Sequence, residues 1–268
     1  MHLHILGARP HAIAYLLRSG ATRVLVDCGL PAGTMRDRLF AIGLDPLSID
    51  AVVLTHEHGG HVGGLEDHPF RDGIPIVASD RTCHLLRAGT TISRVRWSPA
   101  SAGLPFAIGD LTFRGWPVAH DAVDPFAWLV EERGSGFSIG ITGDLGYASS
   151  QLAAMLLGVD CVLVHSNHDE ELLRADESTA VPNRLRVANR HGHLSNEQVA
   201  DLVAQLAIRG RLGGVLLSHL DPRWNTPRRA VGAIESTLAA IARPEIPVHC
   251  LRNGETHCLS PAGPSLAP

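Results

Sequence analysis

Thr55-His56-Glu57-His58-Gly59-Gly60-His61 directly follows the apolar run Ala51-Val52-Val53-Leu54. The run reads as a buried strand, and alternation along an extended chain puts His56 and His58 on the same side as it leaves that strand. Gly59-Gly60 then permits a sharp turn that brings His61 back toward them. Three imidazoles within six residues can converge on one point. Zn²⁺ accepts imidazole nitrogens at about 2.0–2.1 Å, so the cluster suits a metal ion. The bland alternative is a solvated polar loop; a single His-x-His pair would leave it open, whereas a triplet around a Gly-Gly turn speaks against it.

Further polar residues stand at the tips of other strand-like runs. His120 follows Phe113-Arg114-Gly115-Trp116-Pro117-Val118, Asp144 follows Ile139-Gly140-Ile141-Thr142-Gly143, and His219 ends Gly214-Val215-Leu216-Leu217-Ser218. Layered α/β folds place their ligand sites at such strand ends. Taken singly, each reads as an ordinary loop residue. Beside the histidine triplet, each becomes a candidate ligand.

Outward from these tips, β-rich apolar runs alternate with helical patterns. Strands are expected at 2–6, 12–17, 22–28, 51–55, 74–78, 111–114, 126–131, 137–142, 160–165, 214–218 and 247–251. Ser195 with Gln198 three residues on makes a capping box before the amphipathic run 196–209, which Gly210 closes. Thr226-Pro227 pairs an N-cap with a proline in the first helical position and opens 227–242. Weaker helical patterns cover 33–42, 79–88, 149–157 and 181–190. A strand-rich first half and a strand–helix second half predict sheets covered by helices, an α/β layered architecture. One domain is expected over 1–260, with a frayed tail at 261–268.

Composition narrows the class. A chain of 268 residues, 45% hydrophobic, can bury roughly three-quarters of its unfolded surface without a disulfide staple. No apolar run approaches the roughly 20 residues of a membrane span, and the N-terminus shows no secretory leader pattern, so a cytoplasmic protein is expected. The five cysteines are odd in number, widely spaced and form no Cys-x-x-Cys pair, which reads as free, mostly buried thiols. A formal net charge of −4 argues against a surface that coats itself with nucleic acid, while allowing a local basic groove. Sixteen histidines against two tyrosines put the weight on imidazole chemistry.

The motif order resembles the metallo-β-lactamase superfamily, whose loop reads His-x-His-x-Asp-His with a later His, an Asp and a final His. It is similar in particular to the WalJ-type (YycJ-like) bacterial branch, through Val26-Asp27-Cys28-Gly29, Thr142-Gly143-Asp144-Leu145-Gly146, Ser166-Asn167-His168-Asp169 and Gly192-His193-Leu194-Ser195-Asn196. The resemblance implies a four-layer αββα sandwich. It also implies a first metal site on His56, His58 and His120, bridged by Asp144 to a second site on His61 and His219. Zinc is the expected ion, one or two per chain, with manganese or iron as alternatives. The loop aspartate is absent, because Gly60 stands in its place. The second site then keeps three protein ligands and completes its shell with water, and Gly60→Asp is the direct test. A second departure puts His165 where the branch carries an acidic residue before Ser-Asn-His-Asp, and a third replaces its Gly- and Ser-rich first turn by Gly7-Ala8-Arg9-Pro10-His11.

The expected activity is therefore hydrolysis by a metal-activated water, with a phosphodiester, such as a single-stranded nucleic-acid end, as substrate. A small ester, lactone or thioester is the alternative, and a non-catalytic binding module the third option. His193 or His168 is the candidate proton donor, alongside Asp144 in the catalytic set. Arg184 and Arg186 are the candidate phosphate binders, with Arg190 and Arg223 nearby in sequence, since guanidinium forks match phosphate oxygens. Asn196 reads as a helix-start residue only.

Overall fold

The computed structural model describes residues 1–89, 92–261 and 263–267. The first half of the chain supplies β1 (His2–Arg9), β2 (Ala12–Ser19), β3 (Thr22–Val26), α1 (Ala32–Ala41), β4 (Ala51–Val53), α2 (Gly59–Val62), β5 (Ile74–Ser79), α3 (Asp80–Gly89), β6 (Val95–Ala100), β7 (Pro105–Ile108), β8 (Leu111–Pro117) and β9 (Phe126–Glu132). The second half supplies β10 (Ser138–Ile141), α4 (Ser150–Leu156), β11 (Cys161–His165), α5 (Glu170–Ala175), α6 (Val181–Ala188), α7 (Asn196–Arg209), β12 (Gly214–Ser218), α8 (Pro227–Ala240), β13 (Val248–Cys250), β14 (Thr256–Ser260) and β15 (Gly263–Leu266).

The strands form two sheets, ordered β15-β14-β1-β2-β3-β4-β5-β6 and β13-β12-β11-β10-β9-β8-β7. Strand alternation decides what each sheet faces. Ile13, Tyr15 and Leu17 of β2 meet Trp128, Ile139 and Leu163 of the other sheet in a central apolar core. Ala14 and Leu16, on the opposite face of β2, pack with Met35 and Leu39 of α1 and Cys83 and Leu86 of α3. On the far side, Val162 and Val164 of β11 and Val215 and Leu217 of β12 pack under α4, α7 and α8. Helices, sheet, sheet and helices therefore stack in four layers, the αββα sandwich expected from the sequence. The two facing sheets bury full-length strands on both sides, which is why β11 and β12 are buried at every position.

The capping box at Ser195 and Gln198 forms in both directions, and the Thr226 side chain accepts from Arg229 N at the start of α8. The sequence reading passes over β6, β7, β14, β15 and α5. Of these, β6, β7 and β15 are sheet edges, where proline and charged side chains are tolerated and the apolar alternation is weak. Helix α5 has only six residues, too few for a 3.6-residue period to show. The tail expected to fray is instead partly ordered: Gly263–Leu266 pairs antiparallel with β14, while residues 262 and 268 lie outside the described residues. All five cysteines are free, with Cys28, Cys83 and Cys161 buried. No helix among the described residues is long and apolar enough to cross a membrane.

Candidate metal centre

The C-terminal ends of β4, β8, β10, β11 and β12 lie at one edge of the sandwich and deliver the polar cluster. The exit from β4 is pinned by Phe126 N donating to Thr55 O at 2.8 Å and Trp128 Nε1 donating to Leu54 O at 3.0 Å. Cys28 N donates to His61 O at 2.7 Å, which holds the histidine loop against the turn after β3. That approach is so close that a Cβ on Gly29 would stand 1.7 Å from Gly60 O, so position 29 has room only for glycine.

The ligand atoms of His56, His58 and His120 all lie within 4.8 Å of one another, as do those of His56, His61 and Asp144. Two nitrogens, or a nitrogen and an oxygen, bound to one tetrahedral ion at about 2.0–2.1 Å stand about 3.3 Å apart. His58 Nδ1 and His120 Nε2 are separated by 3.3 Å. Asp144 reaches His61 Nε2 and His219 Nε2 at 3.4 Å each, and His56 Nε2 at 3.8 Å. His56 Nε2 and His61 Nε2 are buried with no hydrogen-bond partner. Buried polar atoms are seldom left without a partner; convergent bare nitrogens around a carboxylate fit a divalent ion.

The outer contacts orient these rings. Asp27 takes the Thr55 backbone N–H on Oδ1 at 2.7 Å and the His61 Nδ1–H on Oδ2 at 2.7 Å, which leaves Nε2 of His61 to the centre. His120 Nδ1 donates to Gly192 O at 2.9 Å, and His56 Nδ1 lies 3.0 Å from Thr55 Oγ1. These are the second contacts that fix a ligand's tautomer. Asp27 and His219 both sit in the left-handed backbone region, at φ 62° and 60°, a local strain of the kind found at functional sites.

Charge follows the geometry. Burial would raise the Asp144 pKa, but His219, His193, His61 and the hydrogen bond from His165 hold it well below the usual carboxylate range. Burial pulls His61 down, and the Asp27 and Asp144 carboxylates more than reverse this, raising it to about 10. Burial lowers His56 and His219 well below the ordinary imidazole range.

The other expected residues divide. His193 joins the cluster: its Nδ1 lies 3.8 Å from Asp144 Oδ2, and its ring stacks on His219 with centroids 5.1 Å apart. Burial lowers its pKa to about 4. Arg186 lines the same cavity, of about 400 Å³, and pairs with Asp121 at 2.6 Å. His168 and Arg184 do not come to this cavity. They line a second one of about 410 Å³ between α5, α6 and α7; among the described residues no ring contact or ion pair joins His168 to the cluster. Arg190 stacks on Tyr147 instead. Asn196 is more than a helix-start residue: its buried amide pairs with that of Asn225 and accepts from Ser166 Oγ at 2.7 Å.

The sequence reading assigned no role to Asp27, Tyr15 or His165. His165 Nδ1 lies 2.6 Å from Asp144 Oδ1, and its ring stacks on His219 at 4.7 Å with a 6° interplanar angle. Its position at the tip of β11 is the same signal that marks His219 on β12.

Gly60 decides more than its missing donor. A Cβ there would lie 2.4 Å from Pro10 O, 3.3 Å from His11 Cα and 3.4 Å from Pro10 C. The turn between β1 and β2 occupies the space into which a loop aspartate would grow. A carboxylate at position 60 therefore meets backbone crowding before it can reach the centre.

The chain is 27% identical over 240 residues to "Exodeoxyribonuclease WalJ" of Streptococcus pneumoniae, covering 88% of this chain and 87% of that protein. It is 25% identical over 226 residues to "Exodeoxyribonuclease YycJ" of Bacillus anthracis, with 82% and 83% covered. Among solved structures, the metallo-beta-lactamase fold protein YhfI from Bacillus subtilis superposes with a TM-score of 0.73 at 16% identity, covering 95% of this chain and 98% of that one. The family model described as the beta-lactamase superfamily domain matches residues 22–219. With the four-layer fold and a histidine–aspartate cluster at the strand ends, the chain belongs to the beta-lactamase superfamily, in its metallo-β-lactamase fold.

Proposed function

We propose that this protein is a metal-dependent phosphodiesterase that acts on nucleic-acid ends, with zinc as its ion. The observation that carries this reading is one cavity lined by His58, His61, Asp144 and His219 of the cluster together with two guanidinium groups, Arg186 and Arg223. A small neutral ester has no use for two cations at the rim; a phosphodiester does. The WalJ and YycJ relatives, named as exodeoxyribonucleases, support the same substrate class. Five free thiols fit a reducing, cytoplasmic setting.

Divalent ions bound by this cluster lower the pKa of water toward about 7 and neutralise charge that develops on phosphoryl oxygens. The protein's own groups do the positioning. Asp144, held ionised by the surrounding imidazoles, is the carboxylate shared between the two halves of the cluster. Arg223 is braced by Asp221, from Nε to Oδ1 at 3.0 Å and from Nη2 to Oδ2 at 2.7 Å, so its remaining N–H groups are free to grip phosphate. Arg186 is braced by Asp121. His193 is the residue we assign to proton transfer at the leaving oxygen. Desolvation keeps its free ring neutral, and the negative charge of a bound phosphodiester favours the protonated, donating form. The test is digestion of end-labelled single-stranded DNA beside hydrolysis of an activated neutral ester. Chelator-sensitive shortening of the DNA from one end is expected; ester turnover with intact DNA would reject the assignment.

A further inference from the structure

We infer that His165 takes over the role of the missing loop carboxylate and is a protein ligand of the second metal ion, through Nδ1. The inference rests on the metal-dependent reading of the cavity.

Three observations converge on it. First, the usual ligand position is closed: position 60 has no donor, and its would-be Cβ direction meets the Pro10 carbonyl. Second, the ligand atoms of Asp144, His165 and His219 all lie within 4.8 Å of one another, at three buried positions. His61 stands in the adjoining group with His56 and Asp144, its ring centroid 6.1 Å from that of His165 and 5.9 Å from that of His219.

Third, the hydrogen-bond chain behind His165 occupies Nε2 and leaves Nδ1 facing the centre. Ala8 O can only accept, so Ser218 Oγ donates to it at 3.3 Å. Ser218 Oγ therefore accepts from Tyr15 Oη at 2.7 Å. Having spent its only proton, Tyr15 Oη accepts from His165 Nε2 at 3.2 Å. With Nε2–H directed at Tyr15, Nδ1 is the ring atom that faces Asp144 Oδ1, at 2.6 Å; the proton of that hydrogen bond is what a metal ion would replace. Coordination widens that pair to about 3.3 Å, near the 3.4 Å that His61 and His219 already keep from Asp144. The second site is then His61, Asp144, His165 and His219, four protein ligands without a loop carboxylate.

Two measurements test this. In long-range ¹H–¹⁵N spectra of the zinc-loaded wild type, two rings metallated through Nδ1 are expected, His58 and His165. A single such ring overturns the inference, and the result does not depend on any variant folding. In His165→Gln, metal per chain is expected to fall from two to one, with the second ion's affinity down by at least about 100-fold, beyond the loss caused by removing an outer partner. Unchanged stoichiometry and affinity in that variant, or a wild type that holds fewer than two ions, sinks it. Wild-type DNA digestion reports separately on the phosphodiesterase reading, so the two can fail independently.

Discussion

Placing an aspartate at position 60 is the perturbation that the family pattern invites and this structure resists. Its Cβ would stand 2.4 Å from Pro10 O, and the atoms it meets are backbone atoms of Pro10 and His11, which no rotamer change can move aside. Either the β1–β2 turn shifts by about 1.0 Å to bring 2.4 Å out to an ordinary contact of 3.4 Å, or the histidine loop does. Overpacking of this kind costs about 1–3 kcal/mol. For a chain of this size each kcal/mol lowers Tm by roughly 2–4 °C, so metal-free Gly60→Asp is expected to melt several degrees below wild type. Gly60→Ala carries the same Cβ without a carboxylate and should lose a comparable amount. Differential scanning calorimetry of the metal-free proteins, followed by elemental analysis after zinc loading, separates the steric from the chemical effect. If metal-free Gly60→Asp melts with the wild type, the crowding inferred at Pro10 does not exist.

Three further outcomes are expected. Asp27→Asn loses the carboxylate that takes the His61 Nδ1 proton at 2.7 Å, and its zinc affinity, read by chelator competition, should fall by about 10–100-fold; an unchanged affinity would mean that His61 needs no such anchor. Removing Arg186 and Arg223 together should raise KM for a phosphodiester while leaving hydrolysis of a neutral ester in place, and equal losses on both substrates would exclude phosphate binding as their role. His168 is buried and desolvation lowers its pKa to about 4 from an ordinary 6.5. Its unfolded form binds a proton first, so its contribution to stability is intact above about pH 6.5 and is lost as pH falls toward 4. The Tm of the metal-free protein should therefore drop less steeply over that window in His168→Gln, and parallel slopes would show that His168 does not titrate on unfolding.

Legibility in the sequence followed the physics of each element. Central strands and long amphipathic helices carry their burial pattern in their own residues: β2 alternates two apolar faces, and α7 announces itself with the Ser195–Gln198 capping box. Edge strands such as β6 and β15 bury less and admit proline, so their pattern stays faint. Six residues of the candidate cluster, His56, His58, His61, His120, Asp144 and His219, could be read because each follows an apolar run that ends at the same edge of the fold, where strand tips bring polar side chains together.

What the chain alone determined, then, was the residue types and their strand-end positions, since local periodicity encodes them. Only the tertiary structure decided distances between segments remote in sequence. It put Pro10 into the space beside Gly60, 50 residues away. It brought His165 onto Asp144 and Tyr15, and it sent His168 and Arg184 to a different cavity from His193 and Arg186. The physical reason is that a side chain's neighbours across two packed sheets are set by strand order and register, which no single stretch of sequence contains.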